Sequence, residues 1–254
     1  MADRGRAEGP RVTLAENRVF GRLDVVRAWA DLAEAGVNYS QAEVRRPGWN
    51  IDTHRSGLPA ERPGVPEPGG PWELACALVR DYDFTPPEIV RAVYDPRGPL
   101  LGRNLLLQAR FHLMHFYCGV RITEVLDESR DNGDRVWGWA YETLDGHLER
   151  GKVTYEVIKH QRSGEVEFVA SSYSQGAPTL DRITFLGWRL FGRRTQLRFY
   201  RRCGERLREF VRAQSRGEEV FPGSRLRAGH LVCAPKDATP HRWDALTLNR
   251  VAPG

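Results

Sequence analysis

The feature that most constrains this chain is a change in the spacing of its apolar residues. From residue 103 to residue 174, large apolar side chains recur at every second position, which is typical of strands with one buried face. From residue 179 to residue 213 they recur at spacings of three, four or seven, which predicts a long amphipathic helix. The centre of the predicted fold is therefore a set of strands followed by one long helix.

The strands are expected to pair in chain order. They are predicted over residues 104–112, 115–127, 135–143, 152–160 and 165–174, with Gly119 as a possible β-bulge. Turn sequences separate the later strands, namely DNGD at 131–134, DG at 145–146 and SG at 163–164. Because such short connections join antiparallel neighbours, the sequence predicts an antiparallel meander.

An antiparallel sheet of this size needs a cover for its apolar face. The helix that follows the meander can supply this cover if the sheet wraps around it, with a break in the helix near Gly192. The predicted fold class is therefore α+β, a helix-grip arrangement. Such a fold leaves a cavity between sheet and helix that suits an apolar or amphipathic small molecule.

The flanking segments are less regular. The spacing predicts a helix over residues 22–35, and six prolines make residues 45–71 an extended Pro/Gly-rich strap. Residues 72–82 fit a helix better than a strand, and the capping-box sequence at 85–88 predicts a further helix over 86–94. The expected domains are an N-terminal helix and strap (1–71), a helix-grip domain (72–214) and a tail (215–254) that packs back as an edge element.

Charge is concentrated in the long helix. Residues 182–212 contain ten arginines and two glutamates, so this segment alone accounts for the formal net charge of +5 of the whole chain. These arginines can form a solvated or internally paired face, contact an anionic ligand group, or bind nucleic acid or a membrane surface. Because no nucleic-acid-binding motif accompanies them, the sequence does not favour nucleic acid as a partner. If the face is turned toward the sheet, Arg194 is the candidate anchor for an anionic ligand group.

Several classes of protein are excluded or disfavoured. No segment reaches the roughly 20 apolar residues that a membrane span needs, and the first ten residues lack a signal-peptide core, so a soluble cytoplasmic protein is expected. The four cysteines are far apart and form no C-x-x-C pair, which disfavours a zinc site or a disulfide framework. No standard nucleotide or hydrolase motif is present, so no metal and no cofactor are expected. The oligomeric state is left open.

The sharpest candidates for catalysis are His147, Glu149 and Tyr141. Residues two apart on a strand share a face, so imidazole and carboxylate could act together as general base and acid, with the tyrosine as a phenolic donor. The alternative is that the His–Glu pair only ties down a turn between two strands. Trp137, Trp139 and Tyr141 form an aromatic stripe, which is either sheet core or a cavity wall.

Residues 141–151, which have the sequence YETLDGHLERG, resemble the signature of an uncharacterised family of bacterial and plant proteins described as a domain of unknown function. The resemblance continues through Gly164–Phe168, Ser174 and the helix residues Arg193–Phe199, and covers about residues 82–213. This family is grouped with the START-related, birch-pollen-allergen-like helix-grip (SRPBCC) proteins. The resemblance therefore implies the same helix-grip fold.

Three hypotheses for function remain. The first is binding of an apolar or amphipathic small molecule by Trp137, Trp139, Tyr155, Phe168, Ser174, Arg194, Gln196 and Tyr200. The second is a cofactor-independent enzyme, of cyclase, dehydratase or hydrolase type, that uses His147, Glu149 and Tyr141. The third is binding of nucleic acid or an anionic surface through the arginine-rich helix.

Overall fold

The computed structural model describes residues 13–15, 18–20, 23–111, 114–177, 193–221, 225–239 and 248–251. Its helices are α1 (Val25–Ala30), which a 3-10 turn continues (Asp31–Ala33), α2 (Gln41–Val44), α3 (Pro71–Arg80) and α4 (Arg193–Ser215). Its strands are β1 (Thr13–Ala15), β2 (Arg18–Phe20), β3 (Asn50–Leu58), β4 (Val90–Tyr94), β5 (Asn104–Phe111), β6 (Met114–Ser129), β7 (Arg135–Thr143), β8 (Glu149–Lys159), β9 (Val166–Gly176), β10 (Arg227–Ala228), β11 (Leu231–Ala234) and β12 (Leu248–Val251).

Nine of these strands form the main path of one sheet, in the order β10-β11-β4-β5-β6-β7-β8-β9-β3. Every neighbouring pair on this path is antiparallel. The consecutive strands β5 to β9 confirm the predicted meander. The helix α4 follows the meander and packs along β3, which confirms the helix-grip fold. The predicted helix began at residue 179, and its first part lies outside the described residues.

The strap expected over residues 45–71 contains the edge strand β3, which pairs along its whole length with β9. The inward-facing positions of β3 include Asn50, Asp52, His54 and Ser56, which are polar. A strand whose inner face is polar shows no alternation of apolar residues, so periodicity did not reveal it. The sheet therefore begins well before residue 72, where the predicted helix-grip domain starts.

The helix predicted over residues 86–94 is wrong. Residues 86–89 form a single turn in which Pro86 O accepts hydrogen bonds from the backbone N–H groups of Ile89 and Val90, each at 3.0 Å. Residues 90–94 are the strand β4, which pairs with β5 on one side and β11 on the other. The capping sequence starts a helical turn, but two partner strands then bind the following backbone. The strand β11, which pairs with β4 here, comes from the C-terminal segment after residue 214.

The helix α1 covers part of the outer face of the sheet. Leu32, in the turn that continues α1, packs with Leu106 and Leu144 in a small separate apolar cluster. A Cβ atom at Gly119 would lie 2.4 Å from Leu32 Cδ2, so this glycine permits the close packing. Gly119 pairs regularly with β5, and the irregularity of β6 lies between Ile122 and Glu124 instead. The predicted bulge at Gly119 is therefore wrong.

The main core lies between the inner face of the sheet and the helices α3 and α4. The residues of α4 in this core include Tyr200, Cys203, Leu207 and Val211, which recur at spacings of three and four and therefore share one face of the helix. Because this core lies between sheet and helices, the helix-grip interior is the place where the predicted site residues can meet.

No helix in the described ranges combines the length and the apolar character needed to cross a bilayer.

Candidate functional site

The inner face of β7, β8 and β9 forms a continuous aromatic wall. Trp139 and Tyr155 are cross-strand neighbours, and their ring centroids lie 5.2 Å apart. Phe168 stacks on Tyr155 at 6.0 Å, and Phe84 contacts both Tyr155 and Phe168 from the loop after α3. The four side chains are at most 1% exposed. The predicted aromatic stripe is thus a buried inner surface, and Phe84 is a member that periodicity did not indicate.

Trp137 occupies the end of this wall that lies near α3. It is 8% exposed, and the guanidinium carbon of Arg80 lies 5.1 Å from the centroid of its ring. Trp139 is tied to the same helix because its indole Nε1 donates a hydrogen bond of 3.1 Å to Val79 O. The helix α3 therefore fixes the orientation of both tryptophans.

A group of polar side chains lies at the other end of the wall, where α4 begins. Gln196 Nε2 lies 3.2 Å from Ser174 Oγ, 3.4 Å from Glu149 Oε2 and 3.5 Å from Tyr200 Oη. Ser174 and Tyr200 are buried, and Glu149 and Gln196 are half-buried. The structure thus brings together four of the predicted site residues, from β8, β9 and α4. We call Gln196, Ser174, Glu149 and Tyr200 the polar end of the interior.

The arginine at this end is Arg193 and not Arg194. The Arg193 guanidinium makes a bidentate ion pair with Asp52 on β3, and its Nη1 donates to Gln196 Oε1 at 3.1 Å. Arg194 is exposed, so the expectation that it faces the sheet is wrong. The sequence could have indicated that Arg193 faces the sheet, because Arg193, Gln196 and Tyr200 follow a spacing of three and four and therefore share one face of the helix. Asp52 could not be found, since β3 itself was not recognised.

His147 lies in the turn between β7 and β8. Its Nδ1 accepts a hydrogen bond of 2.9 Å from the backbone N–H of Glu149. Burial lowers the pKa of His147 to about 4. The ring is therefore neutral near pH 7, with its proton on Nε2. This contact is the arrangement expected when a histidine holds a turn in place.

The interior also holds a cluster of four buried tyrosines. Tyr141 and Tyr155 are ring neighbours at 6.0 Å on β7 and β8, Tyr82 follows α3, and Tyr200 lies on α4. Burial raises the pKa of each of the four hydroxyls. Tyr141 also affects the pKa of the other three, and its own pKa is affected by Tyr82 and Tyr155. All four are therefore neutral phenols near pH 7. Tyr82 was missed because it lies in a turn, where periodicity carries no signal.

The arginine-rich segment is largely paired within the protein. Of the eight arginines in α4, five bind acidic or backbone groups: Arg193, Arg201, Arg202, Arg206 and Arg208. The other three, Arg194, Arg198 and Arg212, are exposed, and Arg201 is exposed as well. Arg182 and Arg189 lie outside the described residues. This pattern supports the interpretation of an internally paired and solvated face. Among the described side chains, no group of three His, Cys, Asp or Glu residues could hold a metal ion.

The sheet order, the long closing helix and the aromatic interior together define a helix-grip protein. The chain belongs to the family described as a domain of unknown function, DUF1990, whose model matches residues 31–206. This match confirms the family resemblance that the sequence around residues 141–151 indicates. A search of curated proteins finds no match.

Several solved structures are similar to this chain. They include Ara h 8.0201, with 15% identity, a TM-score of 0.38 and coverage of 65% of this chain and 99% of that chain. A hypothetical protein from Helicobacter pylori has 11% identity, a TM-score of 0.44 and coverage of 69% and 96%. A norcoclaurine synthase from Thalictrum, in complex with a transition-state analogue, has 9% identity, a TM-score of 0.41 and coverage of 66% and 96%. At these values the similarity carries no argument about function.

Proposed function

We propose that this protein binds an apolar or amphipathic small molecule between the inner face of the sheet and α4. The observation that carries the proposal is the composition of the interior, where an aromatic wall leads to one polar end. Small-molecule sites are typically built in this way, from apolar and aromatic side chains with a few polar groups that set the orientation. A ligand with an apolar ring system and one polar terminus matches this composition.

The polar end gives the proposed site its direction. Gln196 is half-buried and can turn its amide toward a ligand, because its contacts with Glu149 and Tyr200 are as long as 3.4 and 3.5 Å. Arg193 is neutralised by the ion pair with Asp52, so this end offers hydrogen bonds more than net positive charge. A ligand terminus that accepts and donates hydrogen bonds suits it best.

The described contacts do not favour the enzyme hypothesis. Catalysis by His147 as a base needs a free ring nitrogen and a group that orients the ring. Its Nδ1 is occupied by the backbone N–H of Glu149, and its pKa of about 4 makes it a weak base. Tyr141 is a neutral phenol, because burial raises its pKa, and it can donate a hydrogen bond to a ligand as well as to a substrate. We therefore assign Tyr141 and Glu149 to ligand contact within the proposed binding site.

The proposal can be tested with native mass spectrometry and a fluorescent probe. We expect protein purified under native conditions to carry a co-purifying small molecule. After removal of that molecule, we expect saturable binding of the neutral fluorescent probe N-phenyl-1-naphthylamine with a stoichiometry near one. Absence of both signals would refute the proposal.

Two variants on α4 localise the binding. Gln196→Leu removes the hydrogen bonds of the polar end and should raise the probe Kd by about 3- to 10-fold, the value of one or two neutral hydrogen bonds. Arg194 lies two residues before Gln196 and is exposed. Arg194→Gln is therefore the matched control and should leave the Kd unchanged. An equal effect of both variants would show that the probe binds elsewhere.

A further inference from the structure

The strongest unexplained feature of the interior is a set of buried hydroxyls that make no well-formed hydrogen bond to the protein. Tyr82 Oη, Tyr155 Oη and Ser172 Oγ are buried without a hydrogen bond of good geometry in the part of the chain that the structure describes. These residues are 1%, 0% and 5% exposed. An unpartnered buried hydroxyl is unfavourable, so native proteins contain few of them. Here two tyrosines that belong to one cluster both have this property.

The two tyrosine hydroxyls lie in the same small region. Tyr82 lies close enough to Tyr155 and Tyr141 for side-chain hydrogen bonding to contribute to its pKa, and Tyr155 is affected electrostatically by both Tyr82 and Tyr141. They nevertheless do not satisfy each other by a hydrogen bond of proper geometry. The region between them is therefore bordered by at least two phenolic donors that point into the same part of the interior.

Tyr82 is held in this position by an unusual backbone conformation. It is the only non-glycine residue with positive φ in the described ranges, at φ 61°. Its backbone N–H donates to Val79 O at 3.2 Å, and its carbonyl accepts from Thr85 Oγ1 at 3.2 Å. A tyrosine in the left-handed region is disfavoured, and such residues are concentrated at functional sites. The turn after α3 therefore directs the Tyr82 ring into the interior, where it contacts Trp139 at 5.9 Å.

We propose that Tyr82 and Tyr155 recognise a neutral oxygen, a carbonyl or hydroxyl group, on a ring-containing ligand. This inference rests on the proposed binding function and names the ligand class. The phenols can donate to such an oxygen, and the rings of Trp139, Phe84 and Phe168 surround Tyr155 on its other sides. A flat aromatic or polycyclic ring matches these walls.

The electrostatics select a neutral ligand over a charged one. The side chains that act most strongly on the pKa of Tyr82 and Tyr155 are other tyrosines and Cys203, none of which is cationic. A carboxylate or phosphate bound there would lose its hydration without gaining a counter-charge. An ammonium group would meet neutral phenols instead of carboxylates.

The test uses three naphthalenes that share one ring system, with equilibrium dialysis as the measurement. We expect the wild-type protein to bind 2-acetonaphthone about tenfold more tightly than 2-ethylnaphthalene, which lacks the oxygen. It should bind 2-naphthoate less tightly than the ketone. Equal affinity for the ketone and the hydrocarbon, or preference for the carboxylate, would overturn the inference while leaving the binding function intact. Failure to bind any of the three would count against the binding function itself.

Phenylalanine variants assign the preference to the two hydroxyls. Tyr82→Phe and Tyr155→Phe should each reduce the preference for the ketone, and the double variant should abolish it with unchanged affinity for 2-ethylnaphthalene. Tyr173→Phe is the matched control, because Tyr173 Oη lies with Tyr39 and Gln41 on the outer face of the sheet. A preference that persists in the double variant would overturn the inference.

The same variants test whether the hydroxyls lack partners in the protein. Removal of an unpartnered hydroxyl should leave the Tm of the ligand-free protein unchanged or raise it. A fall of more than about 4 °C in either single variant would show that the hydroxyl stabilises the fold through a protein partner, and would overturn the inference.

Discussion

A buried ion pair fixes the loop between β3 and α3 to the end of β8. Lys159 Nζ lies 2.8 Å from Glu61 Oε2 and 2.7 Å from Arg62 O, and both charged side chains are 0% exposed. The Glu61 carboxylate also accepts backbone hydrogen bonds from Glu67 at 3.1 Å and from Trp72 at 2.7 Å. The pair therefore joins strand, loop and the start of α3.

Lys159→Met keeps an unbranched side chain but leaves the Glu61 carboxylate buried without its counter-charge. Removal of one partner of such a pair is expected to lower the free energy of unfolding by about 3–5 kcal/mol. The double variant Lys159→Met/Glu61→Gln removes both charges and should recover more than half of this loss. Glu61→Gln alone leaves the Lys159 ammonium without its counter-charge and completes the double-mutant cycle, whose coupling energy should exceed about 1.5 kcal/mol.

The measurement is urea denaturation, with a check that the m-value stays constant. Lys152→Met is the matched control on the same strand, since Lys152 pairs with Glu124 at a site where the two side chains are 21% and 42% exposed. This control should lose less than about 1 kcal/mol. A loss at Lys159 no greater than that at Lys152, or a coupling energy near zero, would refute the reasoning.

Three other predictions follow from single contacts. The pKa of His147 is about 4 in the folded protein and near 6.5 in the unfolded chain, so its contribution to stability is fully present above pH 6.5 and is lost as the pH falls toward 4. His147→Gln should therefore flatten this part of a plot of the urea midpoint against pH. An unchanged slope would contradict the burial of the ring. Gly204→Ala places a Cβ 2.5 Å from Ser56 Cβ and Oγ, so it should lower the free energy of unfolding by about 1–3 kcal/mol despite the better helix propensity of alanine; a gain in Tm would show that α4 does not touch β3 there. Arg193→Ala should lower the free energy of unfolding by about 1 kcal/mol more than Arg194→Ala, and equal effects would contradict the assigned phase of α4.

The meander and the closing helix could be predicted because their signals are local. Strands β5 to β9 alternate apolar and polar residues, and turns such as the one at Gly133, where φ is 90°, separate them. The residues of α4 have one apolar stripe. In each of these elements, the spacing of apolar residues reflects the burial of one face. The order of the elements, five strands followed by a long helix, is then enough to predict a helix-grip fold.

Much of the candidate site followed from the same signals. Trp139, Tyr155 and Phe168 were predicted from alternation or resemblance, and the structure places them on one buried wall. Gln196 and Ser174 were predicted from the family resemblance, and the structure places them within 3.2 Å of each other. Their role in ligand binding remains a proposal.

The remaining features depended on tertiary structure. The strand β3 has polar residues on its inner face, where side chains of α4 bind them, as Arg193 binds Asp52. Its sequence therefore shows no alternation of apolar and polar residues, although one face is covered. The strand β4 follows a helix-starting sequence, and only its pairing with β5 and β11 made it a strand.

The local sequence thus determined which segments are strands or helices wherever one face meets apolar neighbours. Only the tertiary structure decided which side chains from distant segments meet, because the register between strands and the phase of α4 depend on long-range packing. This is why Tyr82, in a turn with no periodicity, emerged beside Tyr155 only in the folded protein.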